Sequence, residues 1–301
     1  MSILQVIVLA IIQGFAELLP VSSSAHVVVA ERLMGLDPSS PQMTLLLVML
    51  HTGTMFAVIV YFWKTWKDAY FSSLEAFKRF AARAVWATLL TGIAGAAIKK
   101  LLEKTLFHGA EKAEIEQLFS HLELIAPALA AAGMLILIAG ILERRNPKAP
   151  TVAFAATRPA AFGLVSLVQA TWIGLVQGLA LPFRGFSRSG STISAGMIAG
   201  APKQTAERFS FALAVILTPA VVGLEALRLL KAAHAASAAG APIDLHGALL
   251  SSLLGALFSF LAGLLALKWL SRWLETGRWY LFGIYCLAAS AVVFALYLRG
   301  F

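Results

Sequence analysis

"LPFRGFSRSGS", residues 181–191, interrupts an otherwise apolar region that runs from about 160 to 200. A transmembrane helix needs about 20 mostly apolar residues, and neither side of the break reaches that length. The break carries Arg188 among serines and glycines. An ionisable residue at membrane depth is costly and marks a functional site by default. A second break, "ELLPVSSSAH" at residues 17–26, divides the apolar region 3–35 in the same way. Interrupted segments of this kind read as re-entrant hairpins or broken helices, which are tolerated only where they face protein or water.

Six uninterrupted segments are long enough to span: about 43–63, 84–102, 123–142, 207–230, 247–270 and 280–298. The 301 residues are 59% hydrophobic and 13% charged, against about 25% charged in soluble domains. The chain is therefore expected to be an all-α polytopic membrane protein, six spans plus two re-entrant hairpins. The net charge of +9 comes without a basic stripe interleaved with aromatics, so nucleic acid is not the expected partner. Basic loops flanking spans explain it. No Lys or Arg precedes Arg32, so the apolar N-terminus lacks the basic region of a cleaved signal and reads as mature structure. The single cysteine, Cys286, lies in an apolar run and suits a packed position.

The two breaks resemble each other. "IIQGFAELLPVSSSAH" (11–26) and "LVQGLALPFRGFSRSG" (175–190) share an aliphatic pair, Gln-Gly, a proline and a serine-rich end. Each is followed by a short apolar half-helix, a polar gap and a full span. This order predicts two repeats, about 1–142 and 160–301, joined by a cytoplasmic linker near 143–159. Loops 63–83, 143–159 and 268–279 are rich in Lys and Arg, which places them in the cytoplasm. The first hairpin then enters from outside and the second from inside, so the repeats are inverted and their breaks can meet near the midplane. Trp63, Trp66, Trp269, Trp273, Trp279 and Tyr280 fall at span ends, as interfacial aromatics do.

Gln13 and Glu17 are four apart and share a helix face. Ser22, Ser23, Ser24 and His26 follow Pro20, at the start of a half-helix. Ser187, Arg188, Ser189, Gly190 and Thr192 open the second half-helix. The first amides of a helix are unpaired and carry partial positive charge. Two such ends, a guanidinium and several hydroxyls make a phosphate-type anion site. His51 in "MLHTGT" is a packing group or a ligand contact, and Arg184 either lines the entrance or snorkels to the surface.

At these breaks the sequence resembles the undecaprenyl-diphosphate phosphatase family of the bacitracin-resistance type. Gln13, Glu17, Ser23 and His26 fall on its first motif; Gly185, Ser187, Arg188, Ser189, Gly190 and Thr192 fall on its second. Arg184 stands where the family usually has proline, and Ala25 where it usually has glycine. The resemblance implies hydrolysis of a polyprenyl diphosphate at the outer side of the bacterial plasma membrane. It also implies a divalent cation, Mg2+ or Ca2+, with Glu17 as its protein contact. Ser23 is the expected nucleophile, with Glu17 or His26 taking its proton; His26 or water remain alternative nucleophiles. Arg188, Arg184, Gln13, Ser22, Ser187, Ser189, Thr192, Gly190 and His51 are expected around the substrate. A homodimer is left open. The competing reading is a secondary transporter or lipid-carrier flippase, because inverted repeats with broken helices are a transporter architecture.

Overall fold

The computed structural model describes residues 1–37, 40–106, 122–145, 164–238, 245–274 and 277–300. Among these residues all regular structure is helical, in ten helices. They are α1 (Ile3–Leu18), α2 (Ser23–Leu33), α3 (Pro41–Tyr70), α4 (Leu74–Leu106), α5 (Leu122–Arg145), α6 (Leu167–Ala180), α7 (Arg188–Ile198), α8 (Lys203–Ala238), α9 (Leu245–Leu274) and α10 (Trp279–Leu298).

Six of them, α3, α4, α5, α8, α9 and α10, contain a stretch long and apolar enough to cross a membrane. The other four fall short. α1 has 16 residues, α6 has 14, and α2 and α7 have 11 each. At about 1.5 Å per residue none of these reaches the roughly 30 Å of a hydrocarbon core.

Several helices outrun their apolar runs. The stretch 63–83, expected as a loop, is helical except at 71–73. Phe62, Trp66 and Tyr70 recur every four residues and are buried, while Lys64 and Lys67 on the other face are exposed. Phe62 stacks on Trp66, and Tyr70 stacks on Phe80 of α4 with ring centroids 4.2 Å apart. An amphipathic turn with an aromatic face continues a helix past the point where its mean apolarity falls. Trp66 and Trp279 are packed inside the protein, whereas Trp63 and Trp269 are exposed as interfacial aromatics would be. The linker and the loop between α4 and α5 fall mostly outside the described residues.

Matching local devices build both short helical pairs. α1 starts with a capping box in which Ser2 and Gln5 satisfy each other's backbone N–H, and α6 starts with the same box from Ser166 and Gln169. α2 and α7 each begin after a serine with positive φ, Ser22 at 66° and Ser187 at 47°. α1 packs along α9 and α6 along α4. Glycine makes both approaches possible. A Cβ on Gly14 would lie 2.4 Å from Ala262 Cβ, and one on Gly178 would lie 2.7 Å from Ala94 Cβ. α5 and α10 pack along each other, α3 packs against α8, and α7 lies between α5, α6 and α8.

Candidate active site

Glu17 is the centre of the site. It lies in the last turn of α1, which stops before Pro20, and it is 9% exposed. One turn earlier on the same face, Gln13 Nε2 donates to Glu17 Oε2 at 3.1 Å. Ser23, the first residue of α2, donates its hydroxyl to the same oxygen. Arg188, the first residue of α7, donates from Nη2 to Oε1. From α3, His51 Nε2 lies 3.3 Å from Oε2, while its Nδ1–H donates to the Leu47 carbonyl at 2.7 Å. A carboxylate taken this far from water needs such a set, because an unpaired buried charge is very costly.

The two half-helix N-termini meet beside this carboxylate. The Ser22 backbone N–H donates to Ser187 Oγ at 3.2 Å, and Ser187 Oγ also accepts from Gly190 N–H at 3.3 Å. Ser189 Oγ donates to the Glu17 carbonyl at 3.3 Å, tying α7 to the end of α1. The first amides of both helices therefore add partial positive charge to one small region.

A cavity of about 360 Å³ opens over these groups. Its polar end carries Glu17, Ser22, Ser23, Ser24, His51, Thr54, Arg184, Ser187, Arg188 and Ser189. Its walls are apolar, from Leu47, Val48, Met55 and Val58 of α3 and from Phe211, Val215, Leu217 and Val222 of α8. Arg188 and His51 face the Glu17 carboxylate and Arg184 also lines the cavity, a set of cationic groups that suits an anion. Arg188 holds Glu17 through Nη2, while its Nη1 is buried with no hydrogen-bond partner.

The family model described as Bacitracin resistance protein BacA matches residues 6–292. The chain belongs to the BacA family. Undecaprenyl-diphosphatase 2 of Acinetobacter baylyi is 56% identical over 296 residues, covering 98% of both chains. Undecaprenyl-diphosphatase 2 of Burkholderia thailandensis is 33% identical over 297 residues, covering 96% of this chain and 95% of its own. Undecaprenyl-diphosphatase 1 of Burkholderia pseudomallei matches to the same extent.

In this BacA-family chain the fold brings most of the sequence candidates together, though not all. Gln13, Glu17, Ser23, Arg188 and His51 form one cluster, with Ser22, Ser187, Ser189 and Arg184 around it. Thr192 is turned away: its hydroxyl bonds the Arg188 carbonyl at 2.7 Å and Ser210 Oγ at 2.6 Å. Gly190 serves packing, since a Cβ there would lie 2.7 Å from Ser187 Oγ and 3.1 Å from Pro20 Cβ. His26 does not line the cavity; its ring contacts Tyr285 instead. Thr54 and Tyr285 were not singled out from sequence. Thr54 follows His51 by three residues, a helical neighbour that could have been found. Tyr285 lies in a uniformly apolar span and gave no signal.

Three of the four contacts to Glu17 fall on Oε2, from Gln13, Ser23 and His51, and Arg188 alone bonds Oε1, so a cation at this carboxylate would share Oε1 with a guanidinium. Among the described residues no three His, Cys, Asp or Glu side chains group as metal ligands.

Proposed function

We propose that this chain hydrolyses undecaprenyl diphosphate to undecaprenyl phosphate and inorganic phosphate. That returns the lipid carrier to cell-wall synthesis and confers bacitracin resistance. The observation that carries the reading is the Ser23–Glu17 hydrogen bond beside Arg188, at the polar end of a cavity whose walls are apolar. A lipid diphosphate has the same division between charged head and hydrocarbon.

Ser23 Oγ attacks the terminal phosphorus and gives its proton to Glu17. The bond to the bridging oxygen breaks, and undecaprenyl phosphate leaves. Water then hydrolyses the phosphoserine and releases inorganic phosphate. Arg188 and the N-termini of α2 and α7 hold the phosphate oxygens as charge shifts among them. Gln13 and His51 orient the Glu17 carboxylate. Positioning and fixed charge supply most of the rate in such transfers. A divalent cation enters this reading only as a counter-ion of the diphosphate. Without substrate, equilibrium dialysis with Ca2+ should then find no stoichiometric site that Glu17→Gln removes; such a site would return the metal to Glu17.

In our reading α1–α2 and α6–α7 are re-entrant hairpins of two inverted repeats in the bacterial plasma membrane. The paired capping boxes, the two left-handed serines and the paired close approaches at Gly14 and Gly178 support it. The basic loops support a site that opens to the extracytoplasmic side.

Purified protein in detergent, with no sealed membrane, should release phosphate from undecaprenyl diphosphate. A transporter or flippase would release none, and that result would end the hydrolytic reading.

A further inference from the structure

His26 and Tyr285 lie outside the cavity, yet they hold the residue that precedes Ser23. Ser22 has φ 66 and ψ 86, a left-handed conformation that residues other than glycine rarely adopt. Such a conformation persists only where its surroundings over-determine it. Both backbone groups of Ser22 are pinned. Its N–H donates to Ser187 Oγ at 3.2 Å, and its carbonyl accepts from His26 Nδ1–H at 2.7 Å. That bond fixes the tautomer, because a carbonyl can only accept. The other ring nitrogen, Nε2, then accepts from the Tyr285 hydroxyl at 2.7 Å. The two rings lie near-parallel, at 11°. The next residue on α10, Cys286, donates Sγ–H to the Pro20 carbonyl at 3.4 Å. Consecutive residues of α10 thus secure the first break at Pro20 directly and at Ser22 through His26.

The geometry points to Tyr285 and His26 as positioning residues for Ser23. Tyr285 sets the His26 ring, His26 holds the Ser22 carbonyl, and that carbonyl fixes the turn from which Ser23 reaches Glu17. The assignment rests on the hydrolytic reading above. It gives His26 no proton to take: one ring nitrogen donates to Ser22 and the lone pair of the other is occupied by Tyr285. A reacting group displaced by a fraction of an ångström loses rate without losing affinity.

The test uses the purified full chain, with kcat, KM and the pH profile measured on undecaprenyl diphosphate. Tyr285→Phe keeps the ring and removes one hydrogen bond; kcat should fall roughly 3–10-fold with KM unchanged. His26→Asn retains a side-chain N–H donor for the Ser22 carbonyl, and should stay within about tenfold of wild type with the same pH profile. His26→Phe keeps a ring without a donor and should lose about 100-fold or more. If Tyr285→Phe equals wild type while His26→Asn is as dead as His26→Phe, His26 acts on the substrate and the assignment falls. Tyr285 is 47% exposed, so its substitution reads out even where a His26 variant does not fold. Phosphate release by wild type tests the parent reading separately. Independently of turnover, 15N-histidine spectra should contain a neutral ring protonated on Nδ1 that His26→Asn removes. A His26 ring protonated on Nε2 alone would overturn the assignment.

Discussion

Ser22 donates its backbone N–H to Ser187 Oγ at 3.2 Å, and each of these serines is the left-handed N-cap of its own eleven-residue half-helix. They stand 165 residues apart in the chain. The bond ties the two breaks to each other and holds two helix N-termini side by side. Ser187→Ala removes the acceptor used by both Ser22 and Gly190, an N-cap loss that costs about 0.5–2 kcal/mol. Both the initial rate and the thermal midpoint should fall. Ser191→Ala is the comparison, because Ser191 Oγ bonds only carbonyls of its own helix start. Equal effects of the two substitutions would show that the bond between the two breaks has no role of its own.

Glu17→Gln should lose nearly all turnover while the protein still purifies as a folded species. It removes the charge that accepts from Ser23, His51 and Arg188. Loss of a general base typically costs about 10²–10⁴-fold. Ser23→Ala should be at least as severe, and labelled phosphate should be trapped on wild type but not on Ser23→Ala. A Ser23→Ala protein with near-normal rate would favour direct attack by water.

Arg188→Lys should fail to restore activity although the charge is kept. Nη2 holds Glu17 while Nη1 is unpartnered, so the residue works through two arms of one plane. A lysine ammonium is a compact point charge and cannot span both positions. Losing charge-assisted bonds in the transition state should slow turnover about 10–100-fold. Arg184→Pro should be much milder, since Arg184 makes no contact with Glu17 among the bonds that hold the carboxylate. Initial rates of both variants, with size-exclusion profiles, decide the matter. A silent Arg188→Lys beside a dead Arg184→Pro would transfer the phosphate-gripping role to Arg184.

The sidedness is open to direct labelling. Asp37 lies after α2 and Ser73 lies between α3 and α4, and both are exposed. An impermeant thiol reagent added to intact cells should modify Asp37→Cys and spare Ser73→Cys. Cys286 is fully buried and can be left in place. Labelling of Ser73→Cys alone would reverse the topology and the side to which the cavity opens.

How much of this was legible beforehand depends on the range of the interaction. The Gln13–Glu17 pair was readable because four residues make one helical turn, and the bond is there. The placement of Ser23 and Arg188 at the starts of α2 and α7 was also readable, since Pro20 and the glycine-rich second break leave the chain nowhere else to restart a helix. The helix ends were less so. Burial of Trp66, Tyr70 and Phe80 against each other carries α3 and α4 beyond their apolar runs, and a hydropathy reading does not see that contact.

Composition and local spacing alone determined that the chain has six segments long and apolar enough to cross a membrane, where its two breaks lie, and which of their residues share a turn. Those properties depend on neighbours within about one helical turn and on transfer from water to lipid. Only the tertiary structure decided which histidine meets Glu17. His26 is nearer in sequence, but α2 turns it toward Tyr285 of α10, while His51 arrives from α3 at 3.3 Å. The rotation of a short polar half-helix is set by what packs on each side of it, and one of those partners, Tyr285, lies 259 residues from His26.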